Sequence, residues 1–90
     1  MSLEKNIYFG KLLDLYGGLL SKNQYEVMND FLNNDLTLSE VAENKQVTRQ
    51  AVKDAVSKVE KKLLSFEQKL HILERIEKLE AEIKQTKGEE

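Results

Sequence analysis

The chain has 90 residues, no cysteine, no proline and four glycines, with a third of its residues charged and a net charge of −2. That length makes one domain with at most an appended helix, and the missing cysteines exclude a disulfide framework, a thiolate metal site and a thiol nucleophile. No apolar run reaches the length of a bilayer span and the N-terminus lacks a charged-then-apolar signal pattern, so the expectation is a soluble, cytoplasmic protein whose modest core leans on a partner helix or a second subunit.

The first helix is predicted over about residues 5–20. Tyr8, Leu12, Leu15, Tyr16 and Leu19 recur there at spacings of three and four and so share a face. Gly17 and Gly18 near its end each cost roughly 1 kcal/mol in a helix interior, so they fray the last turn or admit a close approach by another backbone. A second helix is predicted over about 22–33. Ser21 and Gln24 make a capping box at its start, and Tyr25, Met28, Phe31 and Leu32 form its apolar face. Asn33, Asn34 and Asp35 end it, because their side chains favour turns.

A short third helix follows over about 38–44, opened by a second capping box of Thr37 and Glu40 and facing inward with Leu38, Val41 and Ala42. After a turn at Lys45, Gln46 and Val47, Thr48 caps a fourth helix that begins Arg49, Gln50, Ala51, Val52. No break signal appears until Gly88, so the remainder is one rod or two pieces kinked near 64–66, fraying from about Gln85. Val52, Val56, Val59, Leu63, Phe66, Leu70 and Leu73 alternate spacings of four and three, and beyond them the seam shifts to Ile76, Leu79 and Ile83. Residues 1–63 therefore read as a helical domain and 64–90 as a C-terminal packing or dimerisation helix, with Leu63, Phe66, Leu70, Leu73 and Ile76 as its seam. A fold-back onto the same domain and a homodimer use that seam equally well.

Charge is unevenly spread. Residues 21–44 carry one base and five acids, whereas residues 45–62 carry six bases (Lys45, Arg49, Lys53, Lys58, Lys61, Lys62) against Asp54 and Glu60. Such a block attracts phosphate locally even in an acidic protein. The same stretch, Thr37 to Val59, reads as two helices joined by a short turn. Small Ala42 stands at the crossing, Val47 as an apolar plug in the turn, and Val52 ten residues after Ala42 faces the same core. This is the pattern of a helix-turn-helix, whose second helix lies in the major groove with its N-terminal residues nearest the bases. With Ala51, Val52, Ala55 and Val56 inward, the outward set is Arg49, Gln50, Lys53, Asp54 and Ser57. Arg49 and Gln50 suit guanine or adenine edges, while Lys53, Lys58, Lys61 and Lys62 suit phosphate. Asp54 accepts from a cytosine amine or pairs with Lys58 four residues on. The candidate nucleic-acid-binding residues are Thr48, Arg49, Gln50, Lys53, Ser57, Lys58 and Lys61. Gln46 occupies a turn position often given to glycine.

The segments DLYGGLLSKNQYEVM, TLSEVAENKQVTRQAVKDAV and KKLLSFEQKLHIL resemble the YlxM family of small bacterial proteins, over about residues 8–75. The helix-turn-helix segment also resembles region 4 of sigma-70 factors, which contacts promoter DNA. The resemblance implies an all-α fold, a helix-turn-helix of sigma region 3/4 type with a long C-terminal helix. It implies a regulatory, non-enzymatic protein associated with the signal recognition particle pathway, an association drawn from gene neighbourhood. The partners implied are DNA or signal recognition particle RNA, the particle's GTPase, and a second copy of the chain. The alternative to nucleic-acid binding is a homodimeric interaction module that regulates the GTPase without touching DNA. The chain lacks the rest of a sigma factor, including any segment to open promoter DNA.

Other features read as structural. His71 is the single histidine, set between Leu70 and Ile72, and a lone histidine is a poor metal site. Gly10-Lys11 lacks the earlier glycine and the following Ser or Thr of a phosphate-binding loop. The carboxylates show no paired catalytic arrangement. No catalytic residue, cofactor or metal is expected.

Overall fold

The helix boundaries inside the chain fall where side chains or a tight backbone turn can satisfy the orphan groups of a helix end. The computed structural model describes residues 3–88 and arranges them as α1 (Leu3–Tyr16), α2 (Lys22–Leu32), α3 (Leu38–Lys45), α4 (Arg49–Leu70) and α5 (Ile72–Gly88), with a 3-10 turn over Gly17–Leu19. Among the described residues there is no strand; the fold is all-α. Both capping boxes form. Gln24 N–H donates to Ser21 Oγ at 3.2 Å and Ser21 N–H to Gln24 Oε1 at 3.2 Å. Glu40 N–H donates to Thr37 Oγ1 at 3.1 Å and Thr37 N–H to Glu40 Oε1 at 3.0 Å. Each such box is worth about 1 kcal/mol or more to its helix start.

The core is a single cluster. Phe9, Leu12, Leu13 and Tyr16 of α1 meet Val27 and Met28 of α2, Val41 and Ala42 of α3, Val52, Val56, Val59 and Leu63 of α4, and Leu73 of α5. Helix α4 is the central post, packed by α1, α2 and α3. Its buried set recurs at four, three and four, the expected seam, and α1 to α3 cover that seam within the same chain.

Four local features differ from the sequence reading. The buried stripe of α1 lies to one side of the expected one: Leu12 and Tyr16 point inward, but Phe9 and Leu13 join them while Tyr8 and Leu19 stay exposed. Apolar residues occupy most sides of this helix, so helical spacing alone admits two faces. The helix also ends at Tyr16, because Gly17 starts a 3-10 turn; a Cβ on Gly17 would sit 2.7 Å from the Tyr25 ring, so a ring and not a backbone makes the close approach. Val27, absent from the expected α2 face, is buried, and Tyr25 is exposed.

The third difference is the break between the last two helices. It falls at His71, not near 64–66; α4 runs straight through that region and ends with His71 at φ 54°, ψ 31°. The left-handed residue ends α4 by donating its N–H to Glu67 O at 2.8 Å. The fourth is the C-terminal end, where helix continues through Gln85 to Gly88, with Thr86 Oγ1 donating to Glu82 O at 2.9 Å. No helix among the described residues is long and apolar enough to cross a membrane.

Candidate nucleic-acid interface

The α3–α4 unit is built from its turn outward. Gln46 lies at φ 57°, ψ 43°, in the left-handed region where a Cβ costs roughly 1 kcal/mol or more. Its N–H and that of Val47 fold back on the end of α3, with Gln46 N–H to Glu43 O at 3.2 Å and Val47 N–H to Ala42 O at 3.0 Å. This is a Schellman closure with glutamine in the glycine position. Thr48 then starts α4, accepting from Ala51 N–H at 3.0 Å on its Oγ1. Val47 is not the plug expected of it: it stands 48% exposed. The crossing is sealed by Val41, Ala42 and Val52, each nearly inaccessible, and the tight turn leaves Val47 at the rim. Ala51 is likewise exposed and Ala55 only half-buried, so the inward face of α4 is narrower than expected.

All seven sequence-derived candidates, Thr48, Arg49, Gln50, Lys53, Ser57, Lys58 and Lys61, lie on the exposed side of α4. The Thr48 hydroxyl is engaged as the helix cap. Gln50 Nε2 donates to Asp54 Oδ1 at 2.9 Å, so Asp54 is held by Gln50 and not by Lys58. The basic block divides in two. Lys45 turns inward to Glu26 at 2.8 Å and to Asn23 at 3.2 Å, tying α3 to α2, and that contact holds the Glu26 carboxyl below its ordinary range. Lys62 donates to Gln24 at 3.2 Å. Arg49, Lys53, Lys58 and Lys61 make no ion pair among the described residues. Glu60, the second acid of the block, is drawn off by Lys5 at 3.6 Å. Four cations therefore face solvent around the exposed half of α4, over about 18 Å at the helical rise, with Lys53 and Lys61 between Arg49 and Lys58 at its two edges and Asp54 as the one exposed acid of the block among them. The neighbouring surface of α3 carries exposed Glu40 and Glu43.

The proposed seam residues are not brought onto one line. Leu63 and Leu73 are buried in the core, Phe66 packs on Tyr16 with ring centroids 5.9 Å apart, Ile76 is half-buried, and Leu70 is 49% exposed at the end of α4. The corner holding them is a feature that sequence reasoning missed. Glu67 reaches past the break and caps α5: its Oε1 accepts from Leu73 N–H at 3.0 Å and its Oε2 from Glu74 N–H at 3.0 Å. Tyr16 of α1 donates its hydroxyl to Glu67 Oε1 at 2.6 Å and accepts from Ile72 N–H at 3.3 Å. Burial alone would push the Glu67 carboxyl up, but the Tyr16 hydroxyl, the two N–H groups and nearby His71 outweigh it and the carboxyl lies below its ordinary value. Burial and the Glu67 contact raise the Tyr16 hydroxyl in turn.

Glu67, His71 and Glu74 hold their donor atoms within 4.8 Å of one another, a spacing that suits a metal ion. Both Glu67 oxygens are already acceptors in the cap of α5, and His71 Nδ1 lies 2.9 Å from Glu74 Oε2. The cluster is accounted for as the joint between the two helices. Lys11, of the Gly10-Lys11 pair, sits 3.3 Å from Glu77. Open clefts among the described residues lie along α5 and beside its joint with α1 and α4, and Glu67, His71 and Glu74 line the one at the joint.

The chain matches a family model described as "Putative helix-turn-helix protein, YlxM / p13 like" over residues 3–90. Among similar curated proteins, a UPF0122 protein of Clostridium acetobutylicum is 38% identical over 78 residues, which cover 87% of this chain and 67% of that protein. A UPF0122 protein of Clostridium kluyveri is 37% identical over 78 residues, 87% of this chain and 70% of its own. One of Latilactobacillus sakei is 37% identical over 81 residues, 90% of this chain and 72% of its own. The observed α3–turn–α4 unit is the element that the family description names, and the match runs through it on both sides. The chain belongs to the YlxM/p13-like helix-turn-helix family.

Proposed function

We propose that this protein is a non-enzymatic cytoplasmic regulator that binds nucleic acid through the outward face of α4. The observation that carries this reading is the set of four cations, Arg49, Lys53, Lys58 and Lys61, exposed on one helix and left without acidic partners among the described residues. A cluster of unneutralised cations attracts a polyanion and releases its counterions on contact. Thr48, Ser57 and the Gln50–Asp54 pair supply polar groups between them. In the proposed division of labour residues 1–63 read the ligand and residues 64–90 pack or pair.

One observation favours RNA over a standard operator complex. The first helix of a helix-turn-helix crosses the DNA backbone, and here that helix presents Glu40 and Glu43 to solvent. Acidic side chains at a phosphate crossing are repulsive, whereas structured RNA can be met by shape and phosphate along α4 alone. That fits the signal recognition particle pathway implied by the family resemblance, with the particle's RNA as the polyanion and its GTPase as the protein regulated. Fluorescence anisotropy against duplex DNA fragments and a folded RNA hairpin tests the reading. With about four phosphates engaged, log K falls with log salt at a slope near −3 to −4. The reading fails if neither polymer binds at low salt. Co-purification with the particle's RNA or protein, together with a changed rate of GTP hydrolysis, separates the pathway role from simple DNA regulation.

A further inference from the structure

Helix α5 is anchored only at its start. Leu73 is buried, Ile76 is half-buried against α1, and Lys11 holds Glu77. From Lys78 to Thr86 every residue is exposed, and the molecule is drawn out to 55 Å in its long direction against 24 and 18 Å in the others. An unsupported helical arm of that length is marginal in water, since isolated helices shorter than about 12–15 residues do not hold themselves. This arm is also apolar on one side: Ile72 is 38% exposed, Leu79 57% and Ile83 57%.

We propose that the strip Ile72, Ile76, Leu79 and Ile83 pairs with the same strip of a second copy of this chain, as a parallel, in-register, two-stranded coiled coil. The spacings of four, three and four are heptad spacings, with Ile76 and Ile83 at the a positions and Ile72 and Leu79 at d. Isoleucine at a around leucine at d, as Ile76, Leu79 and Ile83 stand, favours two parallel strands; Ile72 at the first d position is the exception, at the end of the seam beside the joint with α4. The flanks select the same register. Arg75 stands at g and Glu80 at the e position five residues later, so in a parallel pair each arginine faces the other copy's Glu80. An antiparallel pair centred on Leu79 would instead bring the two Glu80 carboxylates together. The seam is distinct from Leu63, Phe66 and Leu73, which the chain covers itself; α1 flanks it at Ile76, and past Glu77 it runs free of the rest of the chain.

The proposal does not depend on nucleic-acid binding, and its test is run without nucleic acid. Sedimentation equilibrium of the full chain over about 1 µM to 1 mM is expected to show mass rising from monomer to dimer. Leu79→Asp and Ile83→Asp change exposed positions outside the core, so the cooperative unfolding of the α1–α4 core stays as in the parent while the dimer is lost, and helix content by circular dichroism falls by no more than the released arm of α5. Arg75→Glu weakens the dimer by about tenfold and Arg75→Glu with Glu80→Arg restores it, a rescue only the parallel register allows. The chain has no cysteine, so Thr86→Cys, at the next d position, should oxidise to a dimer linked through that residue alone. A monomer at every concentration, an unchanged mass in Leu79→Asp, or a dimer that Thr86→Cys cannot cross-link would each overturn the proposal.

Discussion

The Tyr16 hydroxyl lies 2.6 Å from Glu67 Oε1, and through it α1 grips the joint between α4 and α5. One phenol satisfies a carboxylate that is itself the N-cap of the next helix, and takes the Ile72 N–H in return. The direction of α5 is therefore set by a residue 56 positions before its first residue, Ile72.

Tyr16→Phe keeps the ring against Phe66 and removes only the hydroxyl; it is expected to cost about 1–2 kcal/mol in chemical denaturation at neutral pH. Glu67→Gln should cost a similar amount, because the charge-assisted bonds to the α5 N-terminus weaken. The pH dependence has a definite sign. The folded Glu67 carboxyl lies below its ordinary value, so its stabilisation is complete above the unfolded glutamate pKa, near 4.3, and is lost as pH falls through the folded value. The penalty of Glu67→Gln should shrink toward zero in acid. A penalty independent of pH would show that the carboxylate charge is not what holds the joint.

Gln46→Gly is expected to stabilise the protein. Gln46 sits at φ 57° in the Schellman turn between α3 and α4, a conformation that glycine adopts without a Cβ penalty. Part of the gain is offset by glycine's larger entropy in the unfolded chain, leaving a net stabilisation of about 0.5–1 kcal/mol. Gln46→Val should be worse than the parent, because a β-branched residue tolerates positive φ least. Thermal midpoints of the two variants check both signs.

Much of this was legible along the chain, and what was not has one physical cause. The starts of α2, α3 and α4 were readable because Ser21 with Gln24, Thr37 with Glu40, and Thr48 cap them from within four residues. The outward set on α4 followed from helical periodicity around Val52, Val56 and Val59. The break at His71 was hidden because no glycine or proline marks it, and Tyr16 helps to hold the joint from far off in sequence. The α1 stripe is ambiguous in sequence because Phe9 and Leu13 make as good a periodic face as Tyr8 and Leu15, and only packing on α2 and α4 chooses. The inward turn of Lys45 and Lys62 could not be seen in a charge count, so the basic block looked larger than the four cations that face solvent.

Those four cations should act nearly equally if they meet phosphate. Lys53→Ala or Lys61→Ala is expected to make the salt slope of binding shallower by about one unit, with affinity falling alike for every sequence. Lys69→Ala, beyond the cluster on the same helix, should change neither. A larger loss for one sequence than another at Lys53 would move that residue from phosphate to base contact.

Asp54 offers the sharpest test of what Gln50 does. The carboxylate is the one exposed acid among the four cations, and it accepts from Gln50 Nε2 at 2.9 Å. Two effects follow from Asp54→Ala and they are separable. Removing a negative charge from the contact face should tighten binding to any phosphate polymer by about threefold to tenfold at low salt, and less as screening grows. Releasing the Gln50 amide removes the bond that fixes which way its carbonyl and amino groups point, so any base discrimination that Gln50 supplies should weaken. Asp54→Asn keeps an acceptor for Gln50 while dropping the charge, so it should tighten binding yet preserve discrimination. Competition between a preferred ligand and a scrambled one, measured for both variants, distinguishes the outcomes. Equal discrimination in Asp54→Ala and the parent would leave Gln50 as a spacer and place sequence reading elsewhere on α4.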